Sequence, residues 1–286
     1  MSYAIGFALL SMTFGGLIDT LYKVYARETR SRGMYLFGMG LVWLLLQLVE
    51  LGVRGEVLVF SAVNVSYGFA AGAMVTLSNL LYIESMTHLD ISLGATIYRL
   101  NTVGVVILGL IFLGEPLGGI KLLGIACAVV AVIFLYQRGE GRHARLVSLF
   151  LWVIILAALL RASFGVISKA GIMAGASPSM IMVLGAVSWV VGGLCYALCR
   201  ERRMVPMGQK EVGYCVASGL VVFAIVNFLM LGLKYGEATV VIPIANLSFV
   251  VALVISVLLR YESVTARKIV AVGFASAAIV LLSRVG

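Results

Sequence analysis

The chain has 286 residues, 62% hydrophobic and only 12% charged, with a mean hydropathy of +1.12. Soluble domains run at about 45–50% apolar and about 25% charged residues, so this composition excludes a water-soluble globular protein. The net charge of +9 is spread over short breaks between apolar runs, which fits loops that orient a membrane protein and gives no sign of a nucleic-acid partner.

A helix needs about 20 apolar residues to cross a ~30 Å hydrocarbon layer, and only helices and closed barrels satisfy their backbone there. The apolar stretches are continuous rather than the alternating ~10-residue strands of a barrel. The predicted fold is therefore an all-α membrane protein with ten transmembrane helices. In chain order the spans are 3–26, 34–52, 65–86, 91–113, 117–137, 146–172, 178–199, 212–233, 238–259 and 266–284. The first starts at Tyr3 with no basic leader and no small-residue cleavage site, and reads as an uncleaved span. Breakers and charges mark the ends: Gly114-Glu115-Pro116, Gly139-Glu140-Gly141-Arg142, Ser177-Pro178 and Arg200-Glu201-Arg202-Arg203. Pairs such as Gly68/Gly72 and Gly171/Gly175 suit close helix approach. Cys127, Cys195, Cys199 and Cys215 lie inside apolar runs and are expected to be small core residues without a disulfide or metal role.

The second half echoes the first. Sliding 90–136 onto 237–283 sets Asp90 on Glu237, Arg99 on Asn246, Glu115 on Glu262 and Lys121 on Lys268. Spans 1 and 6 align one residue differently, with Gly15 on Arg161, Asp19 on Gly165 and Lys23 on Lys169. The predicted units are 1–137 and 146–286. Each holds an odd number of spans, so the second enters the membrane upside down, giving two inverted five-helix repeats.

Three segments carry a resemblance: Leu113-Gly114-Glu115-Pro116-Leu117, its counterpart Arg260-Tyr261-Glu262-Ser263-Val264, and Gly232-Leu233-Lys234-Tyr235-Gly236-Glu237-Ala238-Thr239. With the span count and the repeat, they make the whole chain resemble the drug/metabolite transporter superfamily, of the EamA-like ten-helix type. The resemblance implies two five-helix bundles around a central cavity, with spans 1, 3, 4, 6, 8 and 9 near the pathway and spans 5 and 10 outside. It also implies a small-molecule substrate drawn from amino acids, nucleotide sugars, sugar phosphates, amines and drugs.

Charges predict orientation. Loops after odd-numbered spans hold Arg27, Arg30, Arg32, Arg138, Arg142, Arg145, Arg200, Arg202, Arg203, Lys210, Arg260, Arg267 and Lys268, whereas the opposite side holds Arg54, Lys121, Lys234 and Arg284. The positive-inside rule then makes the odd loops cytoplasmic and both termini external, the reverse of what is usual among similar proteins. An integral protein of the cytoplasmic (inner) membrane of a prokaryote is expected.

Charged side chains deep in a span are functional candidates by default. Arg99 lies about eight residues into span 4 and Arg161 about fifteen into span 6, near mid-span for a helix rising ~1.5 Å per residue. Asp19 and Lys23 are one turn apart on span 1, and Glu84 lies near the end of span 3. These three are the candidates for proton transfer or ion pairing. Tyr98 and Asn101 on span 4, Asn79 on span 3, Asn227 on span 8 and Asn246 on span 9 share the middle depth. Two readings stay open for each. Arg99, Arg161 and Asp19, with these polar residues, bind substrate; or the arginines bond backbone carbonyls between helices, Asp19 pairs locally with Lys23, and the asparagines bridge helices. Pro243 permits a kink in span 9, and Glu115 and Glu262 fit helix N-termini.

The expected function is secondary transport, by alternating access, of a small polar metabolite bearing a carboxylate or phosphate, since arginine holds such groups through paired hydrogen bonds. The alternative is a proton-coupled multidrug or amine exporter built on Asp19. An enzyme is not expected, because His88 and His143 have no metal-ligand or nucleophile spacing around them. No cofactor is expected, and no GxxxxGK[ST] loop offers ATP drive. The expected partners are the lipid bilayer, the substrate, and a proton or counter-substrate.

Overall fold

The computed structural model describes residues 2–25, 31–86, 97–134, 144–202, 207–258 and 265–284. All regular structure among them is helical. Span 1 is Ser2–Tyr25, span 2 Arg32–Arg54, span 3 Ala62–Met86, span 5 Gly119–Phe134, span 6 Ala144–Met173, span 8 Gln209–Tyr235 and span 10 Ala266–Ser283. Span 7 is Pro178–Tyr196, prolonged by a wide turn over Ala197–Glu201. Span 4 comprises Asn101–Leu108 and a wide turn over Gly109–Leu113; span 9 comprises Ala238–Ala245, a tight turn over Asn246–Ser248, and Phe249–Leu258.

Among the described residues seven helices are long and apolar enough to cross a membrane, and shorter apolar helices cover Ile97–Leu113 and Gly119–Phe134. Span 3 has the length, 25 residues, but not the hydropathy. Its polar residues Asn64, Thr76, Ser78 and Ser85 are buried in the bundle, away from lipid. Lipid instead meets the exposed apolar faces, such as Leu149, Trp152 and Leu156 of span 6.

The principal packing is between the repeats. Span 1 packs on span 8 and span 6 on span 3; span 2 packs on span 7; span 5 packs on span 10; span 1 packs on span 9 and span 6 on span 4. Exchanging the halves (1 with 6, 2 with 7, 3 with 8, 4 with 9, 5 with 10) turns this set of contacts into itself. That is the signature of a two-fold relation between repeats, and with five spans in each it is the inverted arrangement. The repeats are interleaved, so neither closes a bundle of its own as the resemblance implied.

Small residues make the interleaving possible. A Cβ on Gly193 of span 7 would fall 2.4 Å from the Phe37 nitrogen, and one on Gly33 of span 2 would fall 2.5 Å from the Ala197 nitrogen. Spans 2 and 7 therefore cross backbone to backbone. Spans 5 and 10 meet through buried alanines, Ala128 and Ala131 facing Ala271, Ala275 and Ala278. Gly68 and Gly72 lie against Leu184 and Ser188 of span 7, whereas Gly175, at φ +86°, ends span 6 rather than packing a partner helix. The four cysteines are free, but Cys195 and Cys199 are exposed, which corrects their expected place in the core.

Capping repeats the symmetry. Ser31 caps span 2 by accepting from the Met34 N–H at 3.1 Å, and the Glu201 carboxylate accepts from the N–H groups of Arg32 and Gly33. At the matching start of span 7, the Ser177 N–H donates to Asn64 and the Ser179 hydroxyl to Glu56.

Candidate functional site

Spans 4 and 9 are interrupted at matching positions. Around Leu100 the backbone bonds tighten to i→i+3, from the Leu100 N–H to Ile97 and from the Val103 N–H to Leu100. The matching residue Leu247 sits inside the tight turn Asn246–Ser248. Such breaks leave backbone groups without helical partners, and in transporters they gather where substrate binds. Here a side chain of the first repeat reaches one of them, the Asn246 carbonyl, and further side-chain bonds cross between the breaks. Arg99 donates from Nη1 to the Asn246 carbonyl at 3.3 Å and to the Ser248 hydroxyl at 3.1 Å. The Asn246 amide donates to Asn101 Oδ1 at 2.5 Å and to the Thr102 hydroxyl at 3.1 Å.

Asp19 completes this crossing. Its carboxylate forms an ion pair with Arg99 Nη2 and accepts from the Ser248 hydroxyl at 3.2 Å. The side chains are 32% and 20% exposed, so the pair is largely withdrawn from solvent. Phe249 adds its ring face, 5.7 Å from the Arg99 guanidinium carbon. The partner of Asp19 is thus a residue of span 4, 80 positions away. The Lys23 side chain, its expected local partner, lies outside what is described. Arg99 thus bridges span 1 and span 9, with Nη1 and Nη2 bonded within the protein.

Arg161 differs. It falls on the buried face of span 6, in line with Ile154, Ala157, Ala158, Gly165 and Ser168, yet among the described residues it has no hydrogen bond or ion pair. Its neighbour is the Phe164 ring, 5.5 Å from the guanidinium carbon. The position matching Arg161 in the first repeat is Gly15, where an added Cβ would meet the Ser248 Cβ at 2.8 Å. One half is packed shut at this level and the other carries an unpaired arginine.

Tyrosines surround these charges. Tyr82 and Tyr98 pack against Ile154 and Ala157 of span 6, and Tyr22, one turn beyond Asp19, meets the Tyr35 ring edge-on and donates to Met39 Sδ of span 2. Tyr82 and Tyr98 are in ring contact, centroids 4.3 Å apart. Tyr98 exchanges a hydrogen bond with Ser78, which also donates to the Ala157 carbonyl of span 6 at 2.7 Å. Spans 1, 3, 4 and 6 therefore converge on one polar, aromatic region. Tyr22 and Tyr82 were not among the residues singled out in the sequence; their one-turn spacing from Asp19 and Ser78 was the available signal.

Other sequence candidates lie elsewhere. The Asn79 amide bonds Val75 of its own helix at 2.8 Å. Asn227 donates to Phe223 of its own helix and to Gln47 of span 2, which continues to Glu50 and Arg54. Glu84 is bound by Arg200 and the Tyr196 hydroxyl of span 7, which makes it an inter-helix pair near an end of the bundle. Lys169 donates to the Leu233 and Gly236 carbonyls at 2.7 Å each, completing the C-terminus of span 8. Glu262, His88 and His143 lie outside the described residues.

A second charged cluster ties the repeats together beside the start of span 9. Glu115 accepts from the N–H groups of Ala238 and Thr239 at 2.7 and 2.9 Å and from the Thr239 hydroxyl. Its helix N-terminus is therefore that of span 9, in the other repeat. Lys121 is 1% exposed, pairs with Glu237, and donates to the Pro116 carbonyl and the Thr239 hydroxyl. Lys121 and Lys268 are both buried, which corrects their reading as loop charges. Setting both aside leaves the charge bias between the two sides in place. No group of three or more metal-ligating side chains occurs among the described residues.

The whole chain superposes on a solved crystal structure with a TM-score of 0.83, covering 100% of this chain and 98% of the other, at 14% sequence identity. That likeness establishes the fold. No curated protein matches the sequence. The model of the EamA-like transporter family matches twice, over residues 2–137 and 148–284, once for each repeat. With interrupted helices crossing at the repeat interface and both halves matched, the chain belongs to the EamA-like transporter family of the drug/metabolite transporter superfamily, and is an integral membrane transporter.

Proposed function

We propose that this transporter is a secondary carrier of a small polar metabolite bearing a carboxylate or phosphate, working by alternating access between its inverted repeats. The observation that carries the reading is Arg161, a guanidinium on the buried face of span 6 with no anionic partner among the described residues. A half-buried cation without an ion pair gains from an anion, and the planar fork suits an oxyanion. The amine-exporter alternative needs a deep acid free to meet a cation, and Asp19 is already held by Arg99 and Ser248. Protein reconstituted in liposomes should take up labelled organic anions and exchange them for internal anion, while labelled amines are ignored. Amine uptake without anion uptake would reverse the choice.

For orientation in a prokaryotic inner membrane we propose cytoplasmic odd loops and external termini, on the strength of the arginines after spans 1, 5 and 7. Reporter fusions after Arg30, Arg142 and Arg203 should report cytoplasm and a carboxyl-terminal fusion the outside. The opposite pattern would mean that the charge bias does not govern insertion here.

A further inference from the structure

We propose that the site around Arg161 takes an aromatic monocarboxylate that carries no ammonium group. The proposal rests on the transport reading above and narrows its substrate class. Charge supplies the first argument. Among the described residues of the central region, Asp19 and Arg99 cancel, and Arg161 stands alone. One carboxylate balances Arg161, the charge left over among the described side chains there. A phosphate monoester, at about −1.5 to −2 near neutral pH, would leave a negative excess where desolvation is costly. Of the lysines with described side chains, Lys169 is held by two carbonyls at the end of span 8, and Lys121 is paired with Glu237.

The same accounting excludes an ammonium group. It would cancel the carboxylate's charge and leave Arg161 unbalanced, and the described carboxylate at this level, Asp19, is already ion-paired with Arg99. The body of the ligand follows from the rings. Tyr82 and Tyr98 are in ring contact and pack against Ala157, one turn before Arg161 on span 6, and ring against ring adds to burial through offset and edge contacts. A ligand that accepts two guanidinium hydrogen bonds and lays a ring among the tyrosines meets all these conditions.

Four probes on one phenylethyl frame separate the alternatives: 3-phenylpropanoate, 2-phenylethyl phosphate, phenylalanine and 2-phenylethylamine, with hexanoate as the non-aromatic control. Binding to the detergent-purified full-length protein is followed by thermal shift and equilibrium titration. We expect 3-phenylpropanoate to bind about tenfold or more tighter than each of the others. Arg161→Gln should weaken it about 10- to 100-fold without lowering the ligand-free melting temperature, and Tyr98→Leu should weaken it while bringing its affinity near that of hexanoate. Tighter binding of the phosphate overturns the monoanion argument but leaves anion transport standing, and preference for phenylalanine overturns the claim about the ammonium group. Preference for the amine overturns both this proposal and the anion reading. Equal binding of hexanoate, or binding of none of the five, overturns the substrate class.

Discussion

Replacing Lys121 with Met is expected to cost about 3–5 kcal/mol of stability, the usual result of removing one partner from a buried ion pair. The ammonium group is 1% exposed and serves Glu237, the Pro116 carbonyl and the Thr239 hydroxyl together. Without it the Glu237 carboxylate, 30% exposed, keeps its desolvation cost and loses its ion-pair partner. Its packing consequence falls on the start of span 9, which Glu115 and Thr239 fix to the loop after span 4. Melting temperature and monodispersity in detergent provide the check. The double variant Lys121→Met, Glu237→Gln removes the orphaned charge and should recover a large part of the loss. Unchanged melting of Lys121→Met would show that the pair contributes nothing net.

The spans were legible because a membrane helix must be a continuous apolar run of nearly fixed length. Span 6, expected over 146–172, covers Ala144–Met173, and span 7 opens at Pro178 as the Ser177-Pro178 break predicts. Hydropathy is one-dimensional, however, and holds no record of which helix meets which. The interleaving of the repeats arises from crossings such as Gly33 and Gly193, and glycine is common enough in membrane helices to be ambiguous in a single sequence.

Side-chain roles were legible where geometry is local and obscure where it crosses the repeat interface. Glu115 was expected at a helix N-terminus, and it is at one, but in the opposite repeat. Lys121 looked like a loop residue because it stands only two residues into span 5; its alignment with Lys268 was the clue to a shared buried role. Pro243 announced a disturbance in span 9, and the break came just beyond it at Asn246–Ser248. Span 4 has no proline at the matching place, and only the repeat register points to Leu100. Asp19 and Arg99 are 80 positions apart, and nothing in local spacing could couple them.

Arg99 and Arg161, alike in depth and chemistry, are expected to part company on mutation. Arg99→Gln should lower stability by about 3 kcal/mol, because Asp19 is left largely buried without its cation and the Asn246 carbonyl at the break in span 9 loses its donor. Adding Asp19→Asn should restore much of that loss, since the two side chains are then neutral and able to bond each other. Arg161→Gln should behave in the opposite way. No anion is left behind, because Arg161 has no ion pair among the described residues, so ligand-free melting should hold. Anion uptake by the reconstituted protein should nevertheless fall at least about tenfold, the effect of losing one charge-assisted contact. Lysine at 161 should recover little, because a point charge does not reproduce a planar two-point contact. Melting curves and uptake rates on the same four preparations decide the matter. Loss of stability at 161 with none at 99 would exchange the two assignments, and normal anion uptake by a well-folded Arg161→Gln protein would remove Arg161 from the transport pathway.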